Sequence, residues 1–90
     1  MYKSNRIFQA IKFNHIIMGL ELAWIDELNE NLSEETKRYI DVGDYDLRIL
    51  AEIIKESYSE AKQLDDLDRI INCKLYDQNL MLSKIAKYLD

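Results

Sequence analysis

The sequence predicts an all-α fold: a compact three- to four-helix bundle with one short helix, built as a single domain over residues 1–90. Three observations predict it. The chain has no proline and only two glycines, Gly19 and Gly43, so little punctuates a multi-strand fold. Leu, Ile, Ala, Glu and Lys are abundant, a composition that favours helix. Over residues 44–64, Leu47, Leu50, Ala51, Ile54, Tyr58 and Ala61 recur at the three-and-four spacing of one helix face.

That stretch organises the rest. Arg48, Glu52, Lys55, Glu56 and Lys62 occupy its opposite face, with mixed charge. Asp44 stands where a carboxylate accepts the free N–H groups of a first turn, and Asp46 adds negative charge at the positive end of the helix dipole. A lone helix cannot hide an apolar face this wide, so the flanking segments must cover it.

The first helix is expected from a cap at Ser4 or Asn5 to about Asn29. It carries two apolar faces: Ile11, Met18, Leu22 and Ile25 on one side, and Phe13, Ile17, Leu20, Trp24 and Leu28 on the other. A chain this small cannot cover both, which predicts a homodimer. Its seam is placed at Phe13, Ile17, Leu20 and Trp24, where Gly19 lets backbones approach. Ser33 then caps a short helix from Glu34 to about Val42, with Glu34 and Glu35 in its first turn. Its capping box is incomplete, because Thr36 occupies the place of the reciprocating Glu or Gln. Gly43 ends it. The last helix is expected unbroken from about Asp66 to Tyr88, with a break near residues 77–79 as the rival reading. The predicted core is Leu47, Leu50, Ile54 and Tyr58, with Trp24 and Leu82 against it.

Most chemistry is excluded by residue count. One histidine, His15, and one cysteine, Cys73, cannot build a zinc set within one chain. The acidic group at residues 65–68 lacks the central glycine and closing glutamate of a calcium loop, and no glycine-rich phosphate cradle exists. No metal, no cofactor and no enzyme activity is therefore expected. His15 reads as a half-buried histidine with a local hydrogen bond rather than a general base. Cys73 reads as an inert thiol, consistent with a reducing compartment. The amino-terminal stretch lacks a signal-peptide pattern, and the longest apolar run, residues 16–20, is far short of a membrane span. A cytoplasmic location is expected, with no membrane contact.

What remains is surface. The net charge of −5 makes a nucleic-acid partner unlikely on composition. Asp26, Glu27, Glu30, Glu34 and Glu35 form an acidic corner with no basic residue between Glu21 and Thr36. Such a corner is either a solvated surface or a docking site for a basic partner. Tyr39, Asp41, Tyr45 and Asp46 bracket the Gly43 turn, a combination of rings and carboxylates suited to a protein-binding tip. Lys3, Arg6 and Lys12 give a basic amino-terminal arm, the place for nucleic-acid contact in the alternative reading of a dimeric nucleic-acid-associated regulator.

Residues 65–76 are similar in outline to the carboxy-terminal helix of the small aspartyl-phosphate phosphatases of sporulation, in the Leu67–Asp68 and Ile70–Ile71 pairs. Leu64 stands where that outline has a serine. No family is assigned on this. The functional expectation is a small acidic protein that binds and regulates or inhibits a partner protein, of the antitoxin, immunity or phage-counterdefence type.

Overall fold

A computed structural model describes residues 3–42 and 45–89, with side chains over residues 9–41 and 45–89. The described chain forms α1 (Lys3–Met18), α2 (Leu22–Asn31), α3 (Glu34–Val42), α4 (Leu47–Glu60) and α5 (Leu64–Leu89). Five helices replace the predicted three to four.

The difference lies in the amino-terminal third, where one expected helix is two. Gly19 has a φ of +71°, and its N–H donates to the His15 carbonyl at 2.7 Å, which closes α1. Only glycine adopts this left-handed conformation cheaply. No atom lies within 4 Å of a Cβ built there, so backbone conformation rather than crowding sets the requirement. Glu21 then serves as the N-cap of α2 with no side-chain hydrogen bond to the helix.

The later elements follow their local chemistry more closely. Ser33 caps α3, its Oγ accepting the Thr36 N–H at 3.1 Å. Asp46 caps α4, accepting the Arg48 N–H at 2.6 Å, while Asp44 lies outside the described residues, as does Gly43. α5 runs through Asp77 without a break, and Asp65 and Asp66 sit in its first turn, where the dipole favours them.

One cluster of side chains joins the helices. Ile11, Ile25, Leu28, Ile40, Leu50, Ile54, Leu67, Ile71 and Leu75 are all buried in it. α4 packs on α1 and α5, and α3 lies across α5. Leu50 and Ile54 take their expected core places. Trp24 meets Tyr58 edge-on at 5.2 Å and 82°, both partly buried. Leu47 and Leu82 are exposed instead: Leu47 begins α4, and Leu82 lies beyond the point where the core ends. The buried residues of α5 stop at Leu75. A helix of 26 residues is about 39 Å long, in a molecule 45 × 25 × 24 Å, and every residue from Leu80 to Leu89 is exposed, so its last turns project from the body.

Among the described residues, two buried polar side chains lack partners. The Asn14 side chain is fully buried, and neither its Oδ1 nor its Nδ2 has a hydrogen-bond partner within the described chain; the same holds for Nδ1 of half-buried His15.

Candidate functional site

The cap of α3 determines where the site lies. Besides the Thr36 bond, the Ser33 hydroxyl donates to Thr36 Oγ1 at 3.0 Å, and Thr36 Oγ1 lies 3.5 Å from the Asp68 carbonyl oxygen to which it donates. The Ser33 N–H donates to Asp68 Oδ1 at 3.0 Å. A capping box normally satisfies that N–H with a Glu or Gln three residues on. Here a carboxylate from α5 does so, and the substitution fixes α3 against α5. Thr36, fully buried, leaves no room for the longer side chain of an ordinary box.

With α3 held this way, Tyr39 meets Tyr76 of α5 at 5.4 Å between ring centroids and 65° between planes. The pair lines a surface groove of about 370 Å³, completed by Asn79, Leu80 and Ser83. Burial, and then the nearby Glu35 carboxylate, raise the Tyr39 pKa, so its phenol stays neutral and available as a donor. Asp26, Glu27, Glu30, Glu34 and Glu35 are all exposed along α2 and the start of α3. Glu34 reaches Lys37 at 3.8 Å. Groove and acidic edge therefore share α3.

The predicted tip around the Gly43 turn is divided by the structure. Tyr39 lines the groove. Asp41 is exposed on α3, and exposed Asp46 is engaged as a helix cap. Tyr45 is only 1 % exposed, and its O–H donates to the Leu75 carbonyl at 2.8 Å. It offers no surface to a partner. The predicted dimer seam is divided too: Phe13 and Ile17 are exposed on α1, Leu20 is in the core, and Trp24 is partly covered by Tyr58. Lys12 is exposed, and the side chains of Lys3 and Arg6 lie outside the described residues.

Tyr76 and Leu80 were not singled out in the sequence. Tyr76, Leu80 and Ser83 stand at i, i+4 and i+7, the spacing of one helix face, off the stripe that carries Leu75 and Leu82. That second, partly apolar face was the available signal. On the α4 side, Lys74 bridges to Glu60 at 3.1 Å and Glu56 at 3.4 Å. Burial opposes its charge, but the hydrogen bonds to Glu60 and Glu56 outweigh it and raise its pKa.

Among the described residues, no three His, Cys, Asp or Glu side chains converge to hold a metal ion. No helix among them is long and apolar enough to cross a membrane. Comparison with protein-family models, with curated proteins and with solved structures gives no match.

Proposed function

We propose that this protein acts by occupying a partner protein rather than by turning over a substrate. The partner lays a basic surface along the α2–α3 edge and inserts an apolar side chain into the Tyr39–Tyr76 groove. The observation that supports this most is the edge-on Tyr39–Tyr76 pair at an open groove, beside carboxylates on the same helix. Aromatic rings give large contact area with few rotors to freeze, while exposed carboxylates steer encounter with a basic surface. Regulation or inhibition, of the antitoxin, immunity or counterdefence kind, follows from occupancy alone. The protein does this as a homodimer.

The test is surface plasmon resonance against the protein that copurifies from the native host. Tyr39→Ala is expected to raise the dissociation rate. Glu27→Lys with Glu30→Lys is expected to slow association and flatten its salt dependence. Binding unchanged by both variants, each shown to keep its melting temperature, would remove this surface from consideration.

A further inference from the structure

We propose that the half of α5 beyond Leu75 is the seam of a homodimer, and that a second copy of this chain covers it. From Ile71 onward, Ile71, Leu75, Gln78, Leu82, Ile85 and Leu89 share one face of α5, spaced four, three, four, three and four. This is the heptad spacing of a coiled-coil seam. The bundle buries Ile71 and Leu75, and then the core ends while the stripe continues. Leu82 is 46 % exposed, Ile85 49 % and Leu89 80 %, with Met81 and Tyr88 exposed along one edge.

Three observations bear on a second copy as the occupant and on how it lies. The first is area. The chain exposes 6163 Å² for a mass of 10.7 kDa, against roughly 5,500 Å² expected of a compact protein of that mass. The chain therefore leaves more surface open than a compact protein of its mass, and the exposed apolar side chains of α5 beyond Leu75 are part of that surface.

The second is charge. Between Leu75 and Leu89 the charged residues are Asp77, Lys84 and Lys87, and all three fall at outward heptad positions. No charge stands at the seam or beside it. Charges at those flanks are what coiled coils use to choose between partners. A seam without them does not repel its own copy. Gln78, the one polar seam residue, carries both donors and acceptors, so its amide can pair across a symmetric interface.

The third is the acidity of the body. A net charge of −5 per chain disfavours two bundles side by side. Antiparallel packing of the projecting turns places the bundles at opposite ends, about 21 Å apart along the helix, well beyond the ~8 Å Debye length at physiological salt. Tyr76, Leu80 and Ser83 of the groove stand at outward heptad positions and Asn79 at the flank of the seam, so this inference rests on the homodimer of the proposed function and not on the Tyr39–Tyr76 contact.

Sedimentation equilibrium on the full chain tests it. The wild type is expected at dimer mass in the micromolar range. Leu82→Asp with Ile85→Asp is expected to weaken association by roughly a hundredfold or more, since each carboxylate must be buried to pair. Both side chains are solvent-exposed in the single chain, so the fold should survive, which circular dichroism checks. Phe13→Asp with Ile17→Asp serves as the second variant and should remain a dimer. A wild type at monomer mass throughout that range overturns the proposal and leaves the stripe for a different protein. A dimer that survives the α5 changes, or is broken only by the α1 changes, overturns it as well.

Discussion

The phenol of Tyr45 donates a hydrogen bond to the carbonyl oxygen of Leu75 at 2.8 Å, across thirty residues of chain. Leu75 is the last buried residue of α5, so this bond ties the turn before α4 to the point where α5 leaves the bundle. Tyr45→Phe keeps the ring and removes the bond, and should lower unfolding free energy by about 1 kcal/mol at neutral pH. Burial raises the Tyr45 pKa above its ordinary value. The unfolded chain therefore gives up the phenolic proton first, and the stability from the neutral phenol, complete below about pH 10, is lost as pH climbs through and above that value. Urea denaturation of both proteins from pH 8 upward, roughly spanning that range, should show the wild-type advantage vanish. Parallel pH curves would contradict the account.

Asp68 supplies what the α3 capping box lacks. Asp68→Ala strands the Ser33 N–H and should cost about 1–2 kcal/mol. Asp68→Asn retains an acceptor and should recover most of that loss. Urea midpoints of the three proteins decide it; an Ala variant as stable as wild type would mean that water serves Ser33 equally well.

Gly19→Ala places a Cβ on a left-handed residue with open space around it. The expected cost is about 1–2 kcal/mol of backbone strain with no packing component. Calorimetry should therefore show a lower melting temperature, and circular dichroism an unchanged helical signal.

Asn14 presents the opposite case. Its buried amide has no partner among the described residues, and Leu has nearly its shape. Asn14→Leu should raise the melting temperature by several degrees, corresponding to about 1–3 kcal/mol of relieved desolvation in a chain of this size. A fall would show that the amide is satisfied in solution.

How legible this was in the sequence depended on whether the deciding interaction was local. Helix identity over α4 and α5 followed from apolar spacing, and over α3 from the Ser33 cap and the acidic first turn behind it. The α1–α2 break did not, because Glu21 makes no side-chain cap and the glycine sits inside an apolar run that reads as continuous helix. Tyr45 looked like a surface ring because its partner, the Leu75 carbonyl, is distant in sequence and is a backbone atom common to every residue. Tyr39 was readable beside its carboxylates, but Tyr76 became visible only when Asp68 brought α3 onto α5. Leu82 was placed in the core for a sound periodic reason; periodicity shows which face is apolar, and not where the rest of the bundle stops.

Amide hydrogen exchange reads, residue by residue, whether α5 beyond Leu75 is covered by a second copy. An uncovered helical extension of this length frays, and its amides exchange quickly. At concentrations where the dimer forms, residues 79–89 should be protected nearly as well as residues 64–75. That protection should disappear on dilution and in the Leu82→Asp, Ile85→Asp protein, while residues 64–75 stay protected. Rapid exchange of residues 79–89 at every concentration would show that no second copy covers them.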